Sequence, residues 1–170
     1  MTQSLNSLED VLQEQIEDLL SAEHQLVQAL PKVAEAASSP ELKEAIETHL
    51  GQTRGHVERL EQVFDELGMS HSSTTCKAMQ GLVAEGDEIV QMQGDPVAKD
   101  AAIIAAAQRI EHYEIAAYGT AKTLAAELDH RTAERLLEAT LDEESAADKL
   151  LTKIATGGMF KAGVNQKAAS

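Results

Sequence analysis

Apolar residues recur at steps of three and four along four long stretches of the chain, and each stripe is interrupted by polar residues part-way along. The first reads Leu12, Ile16, Leu19, Glu23, Leu26, Leu30, Val33, and the second Leu42, Ile46, His49, Thr53, His56, Leu60, Val63, Leu67. The third runs Ile104, Ala107, Glu111, Glu114, Tyr118, Ala121, Ala125, Leu128, and the fourth Leu137, Leu141, Glu144, Asp148, Leu151. Such steps keep residues on one face of an α-helix. The pattern therefore predicts four amphipathic helices whose inner faces are largely apolar but carry carboxylates and imidazoles where a core should be.

Punctuation between the stripes fixes the connections. Ser7 with Asp10 three residues on predicts a helix start, and Pro31 predicts a kink near the end of that helix. Ser38-Ser39-Pro40-Glu41 predicts a stop and restart, with Ser38 as N-cap and Glu41 as its capping-box partner. Gly68 should cap the second helix, and Met69 to Thr75 should be a polar loop. A shorter helix is expected from Cys76 to about Gln93, buried through Met79, Leu82, Val83, Ile89 and Val90 and ended by Gly94. Asp95-Pro96 opens the third long helix, which runs to about Leu128. A tight turn at 129–131 leads to the fourth, from about Thr132 to Ala155. Gly157-Gly158 stops it. The expected organisation is one bundle domain over 1–156 and a loose tail over 157–170. Two short turns and one long connection with its own helix define an all-α four-helix bundle with one crossover, an architecture that can house metal in its core. No repeat of about 34 residues supports a helical solenoid instead.

Antiparallel neighbours can be levelled by counting from their turns. With the first turn near 38 or 39, Glu23 falls level with about position 54, between Thr53 and His56. With the last turn near 130, Glu111 and Glu114 fall level with about 149 and 146, near Glu144 and Asp148. The interruptions on all four helices thus share one slab holding Glu23, His56, Glu111, Glu114, Glu144 and Asp148. Five carboxylates and one imidazole form a hard, oxygen-rich set that suits paired Fe or Mn, two ions per chain, better than Zn or Cu. The competing reading is a metal-free network in which Arg54, Arg59 or Arg109 folds inward to pair with the acids. His49 reads as a residue backing the ligands or as a satisfied core histidine, and Tyr118 as a core phenol bonded to a carboxylate. Asp142 and Glu143 read as solvated; Cys76, His24, His71, His112 and His130 read as structural or exposed.

Bulk properties narrow the partners. The net charge of −15 disfavours nucleic acid and anionic membrane surfaces. Aromatic content of 2% favours closely packed helices over a sheet. Cys76 is the single cysteine, which excludes an intramolecular disulfide and a thiolate metal site. No basic and apolar leader opens the sequence and no apolar run nears the roughly 18 residues of a membrane span, so a cytoplasmic location is expected. No cofactor motif or nucleophile constellation points to an organic substrate.

Several segments have a familiar look: Leu-Leu-Ser-Ala-Glu-His-Gln-Leu from Leu19, Gln-Thr-Arg-Gly-His-Val-Glu-Arg-Leu-Glu from Gln52, and Cys-Lys-Ala-Met-Gln-Gly-Leu from Cys76. With Ile-Glu-His-Tyr-Glu-Ile-Ala-Ala-Tyr-Gly-Thr from Ile110 and Thr-Leu-Asp-Glu-Glu from Thr140, they resemble the YciE/YciF-like family over about residues 7 to 156. The resemblance implies a bacterial ferritin-like domain, rubrerythrin-related in fold, associated with stress responses and dimeric. One departure matters. The wider ferritin-like pattern offers Glu-x-x-His on the second and fourth helices, whereas here stand Thr53-x-x-His56 and Glu144 with Asp148. That implies an asymmetric site with one ion held more weakly. The expected function is a di-iron or di-manganese protein that reacts with peroxide or dioxygen or oxidises Fe(II). The alternatives are a non-catalytic dimeric stress module and iron storage. The apolar side of the crossover helix and the alanines 101, 102, 105 and 106 are the surfaces expected to form a two-fold homodimer.

Overall fold

In the structure, a computed structural model that describes residues 5–69, 74–158 and 161–170, the first helix, α1 (Leu8–Ala36), starts as the sequence predicts. Ser7 Oγ accepts from Asp10 N at 3.1 Å, and Asp10 Oδ2 accepts from Ser7 N at 3.1 Å. The following helix, α2 (Pro40–Leu67), ends at Gly68, whose φ of 62° is the left-handed conformation that glycine adopts at low cost. The crossover carries α3 (Lys77–Gln91). Then come α4 (Pro96–Glu127), capped by Asp95, and α5 (Arg131–Thr156). Around the bundle, α1 packs on α2, α2 on α5, α5 on α4 and α4 on α1, while α3 lies across α1 and α4.

The α1–α2 turn departs from its expected cap. Ser39, not Ser38, is the N-cap of α2. The residue before a proline is driven out of the helical region into the extended one, which is N-cap geometry, and Ser39 precedes Pro40. The backbone N–H groups of Ser38 and Ser39 donate instead to Asp100 of α4, at 2.8 and 2.7 Å. Asp100 is almost wholly buried, so Asp100→Ala leaves two donors without an acceptor. Chemical denaturation should show a loss of about 1–3 kcal/mol, and a variant as stable as the parent would refute this role.

Two further expectations change. On α3 only Met79 is fully buried, while Leu82, Val83, Ile89 and Val90 are half-buried. The final residues are not a loose tail. After α5 the chain pairs β1 (Gly157–Gly158) with β2 (Lys161–Ala162) and forms α6 (Val164–Ala168), which packs on α4 and α5. Val164 is buried in the core, and Lys161 pairs with Glu41. Gly157 makes the reversal possible: its φ is 75°, and a Cβ there would lie 2.3 Å from the backbone of Gly163 and Lys161. Among the described residues of this segment, Val164 is the only large apolar anchor, too short a signal for periodicity to reveal. Of the alanines expected on an outer face, Ala106 is buried in the chain's own core, while Ala105 is exposed. Of the expected polar loop, residues 70–73, His71 included, lie outside those described.

The core falls into two apolar clusters. One gathers Leu26, Leu30, Leu42, Ile46, Met79, Ile103, Leu151 and Val164 around the α1–α2 turn. The other gathers Leu12, Ile16, Leu60, Phe64, Ala121 and Leu137 toward the α4–α5 turn. Each of the four bundle helices runs through both, and the interrupted part of every stripe lies between them.

Candidate metal centre

Each bundle helix puts polar side chains into the layer between the clusters: Glu23 from α1, His49 and His56 from α2, Glu111 and Glu114 from α4, Glu144 from α5. All six are buried, and Glu23, His56, Glu114 and Glu144 are fully so. They form two groups. His49, Glu111, Glu114 and Glu144 each bring one ligand atom within 4.8 Å of the others, and so do Glu23, His56 and Glu144. Glu144 belongs to both.

Unpaired polarity sets this layer apart. Among the described residues, every buried side-chain nitrogen or oxygen without a hydrogen-bond partner belongs to these six. The eight atoms include both oxygens of Glu114, both of Glu144, and one Nδ1 each from His49 and His56. His56 Nδ1 lies 2.9 Å from Glu144 Oε1 and 3.4 Å from Glu23 Oε1, close approaches without the alignment of a hydrogen bond. His49 Nε2 stands 3.5 Å from Glu111 Oε1 and 3.7 Å from Glu144 Oε2. A buried polar atom without a partner costs about 1–3 kcal/mol. Orphaned polar atoms on all six residues of one layer are what cation ligands look like before the cation is counted.

Proton affinities respond to the same crowding. Burial, reinforced by the charge of Glu144, raises the Glu111 carboxyl well above the usual range, and burial with the charge of Glu23 does the same to Glu114. Burial also raises Glu23, against the pull of His56. Burial would raise Glu144 too, but the two histidines outweigh it and its net direction is down. His56 moves the other way: burial would lower it, yet Glu144 and Glu23 push it up to about 10. These shifts all favour the protonated forms of Glu111, Glu114 and His56, which lowers the net negative charge of the layer when no other cation does.

Outside the layer, further groups orient the ligands. Tyr118 donates its hydroxyl to Glu23 Oε1 at 2.5 Å, as the sequence suggests. His56 Nε2 lies 2.8 Å from Glu143 Oε2, and Arg59 grips Glu143 through both oxygens at 3.0 and 2.7 Å and also donates to Thr140 at 3.1 Å. This clamp leaves Nδ1 as the atom His56 offers inward, the way carboxylates commonly orient metal-binding histidines.

The structure gathers Glu23, His56, Glu111, Glu114 and Glu144 as expected but revises their neighbours. Asp148 is partly exposed, accepts from Gln108 Nε2 at 2.9 Å, and belongs to neither group. A four-residue step from Glu144 over-rotates by about 40° and carries it toward the α4–α5 seam. His49 takes its place as a member of the layer. The usable signal was its position two turns before His56 on the same stripe. Glu143, expected to be solvated, is the group that bonds His56. Thr53 turns back on its own helix and donates to His49 O at 2.9 Å, so it offers the layer nothing. Arg59 does fold inward, but onto Glu143, while Arg54 is exposed and Arg109 sits 3.9 Å from Glu85 at the surface. Among the described residues, no lysine or arginine pairs with the buried acids.

Helix order, the single crossover and an inner layer of carboxylates and imidazoles define a ferritin-like four-helix bundle. The chain belongs to the family described as domain of unknown function DUF892, which it matches over residues 7–169. Protein YciF of Escherichia coli (strain K12) is 42% identical over 164 residues, spanning 96% of this chain and 99% of that protein. The crystal structure of that E. coli stress protein superposes with a TM-score of 0.85 at 43% identity, covering 88% of this chain and 94% of the other. YcfI of Rhodopseudomonas palustris, described provisionally as a structural protein, gives 0.87 at 41% identity over 91% and 99%. A ferritin-like, diiron-carboxylate protein of Bacillus anthracis str. Ames gives 0.67 at 18% identity over 88% and 98%, a likeness of fold. Among the described residues, no helix is long and apolar enough to cross a membrane.

Proposed function

We propose that the buried layer holds two divalent iron or manganese ions per chain and that the protein uses them on peroxide or dioxygen or to oxidise Fe(II). The observation that supports this most is the concentration of eight unpartnered buried polar atoms on six residues from four helices, which fall into two ligand groups sharing Glu144. An oxygen-rich set with two imidazoles suits these ions. When bound, such a pair supplies one-electron changes at two adjacent centres. Glu144, common to both groups, would serve both ions, with His49, Glu111 and Glu114 holding one and Glu23 and His56 the other. Tyr118 fixes Glu23, the Arg59–Glu143 pair fixes His56, and the two apolar clusters shut water out on either side.

Metal must displace protons to enter. Uptake at neutral pH should release up to three protons per chain, one each from Glu111, Glu114 and His56. The same groups set the stability of the metal-free protein. Raised carboxyl values in the folded state mean that stability is greatest below their unfolded value of 4.5 and falls as pH climbs above it. His56, also raised, contributes stability that is full below 6.5 and lost as pH rises through about 10. Both signs agree, so the melting temperature without metal should fall between about pH 5.5 and pH 8.5. With saturating Mn(II) the protein should melt higher and depend less on pH. Equal melting curves with and without Mn(II) would sink the proposal.

The direct test is elemental analysis of protein from iron-fed cells, followed by anaerobic Fe(II) loading and oxygen-uptake measurement. Two metal ions per chain with oxygen consumption support the reading. Absence of stoichiometric metal would favour a non-catalytic module, and a large iron excess would favour storage.

A further inference from the structure

Beside the polar layer, toward the α1–α2 end, lies a cavity of about 180 Å³. Its walls come from five helices, through Leu30, Ile46, Gly86, Ile89, Ile103 and Leu151. His49 and Glu111, which belong to one of the two ligand groups, also line it. A quarter of the chain is charged, yet Glu111 is the only Asp, Glu, Lys or Arg among the residues lining this space. Thr48, Gln52, His49 and Glu111 are its few polar residues, too few to replace the water shell of an ion, whereas a neutral apolar molecule would lose little on entering. A cavity of roughly 150 Å³ lined by aliphatic and aromatic side chains is enough to take up benzene. His49 adds a polar end: it is nine-tenths buried, and its Nδ1 has no hydrogen-bond partner.

We propose that this cavity binds a small, uncharged, mainly apolar organic molecule, about the size of a benzene ring, with one end against His49 and Glu111. No sequence motif signals an organic ligand, because the walls are ordinary residues of helices distant along the chain. Binding depends on the cavity alone. That the molecule would lie beside the metal pair, and so be its substrate class, rests on the function proposed above.

Benzene is the probe. Titrated into the metal-free protein, it should shift NMR signals of Ile89, Ile103 and His49. Gly86 supplies the control, since a Cβ added there meets no atom within 4 Å. Gly86→Leu should fill the space, and leucine favours a helix more than glycine does, so the variant should fold. It should weaken benzene binding at least tenfold and leave Mn(II) uptake unchanged, while Gly86→Ala keeps most of the binding. In Mn(II)-loaded protein the benzene protons should be broadened by the nearby paramagnetic ion. No shifts up to the solubility limit of benzene, or shifts that persist in Gly86→Leu, would overturn the proposal and leave the metal reading standing. Benzene binding without Mn(II) uptake would overturn the metal reading and leave the cavity ligand standing.

Discussion

Glu144→Ala should strip the protein of both metal ions, whereas Glu23→Ala should strip it of one. Glu144 stands in both ligand groups, and Glu23 in only one. Glu144 also lies against both imidazoles, 2.9 Å from His56 Nδ1 and 3.7 Å from His49 Nε2. Without it one position (upper) keeps His49, Glu111 and Glu114, but the other (lower) keeps only Glu23 and His56, too few to hold an ion in a buried site. The upper position also loses the anion that balances its neighbour. Displacing a group that merely orients a ligand costs roughly 10–100-fold in affinity, so losing a shared ligand should cost more. Anaerobic Fe(II) titration, with circular dichroism to verify folding, reads the stoichiometry directly. Retention of two ions by Glu144→Ala, or identical losses from both variants, would contradict the shared-ligand arrangement.

The opposite sign is expected of Glu114→Met when no metal is present. Both carboxylate oxygens of Glu114 are buried without a partner, and burial holds its proton on far above the usual range. Methionine has similar length and leaves nothing polar behind. Removing a buried polar group that has no partner removes its desolvation cost of about 1–3 kcal/mol, and that is the gain expected in urea denaturation of the metal-free variant. The stabilisation that Mn(II) gives the parent should shrink in the same variant, because the upper position has lost a ligand. A metal-free Glu114→Met less stable than the parent would mean that Glu114 has a structural partner and is not a ligand in waiting. Sites kept at the expense of stability are a common signature of function.

The architecture was legible because long stripes with capped ends leave few alternatives. Leu12 to Val33 and Leu42 to Leu67 can be buried together only as paired helices, and the Asp95-Pro96 start and the Gly68 stop fall where they were read. The layer was legible because Glu23, His56, Glu111, Glu114 and Glu144 interrupt four stripes at one height. What escaped was angular or non-local. Asp148 and Glu143 flank Glu144 on the same turns, and only the packing of α5 on α2 and α4 decides that Glu143 reaches His56 while Asp148 reaches Gln108. Asp100 caps a turn 61 residues away, which no local capping rule can anticipate.

The division of the core also governs how the chain loosens. The cluster near the α1–α2 turn is buttressed by α3 and α6, while the described residues of the other come from the four bundle helices and their ends, with Met69 just beyond α2. Amide hydrogen exchange should therefore start at the far end, where α1 begins, α2 finishes and α4 turns into α5. An opening that spreads from there meets the layer of acids before it meets the second cluster. Were cations to join it, that layer would act as a bulkhead: half of the bundle could breathe while the other half stayed packed.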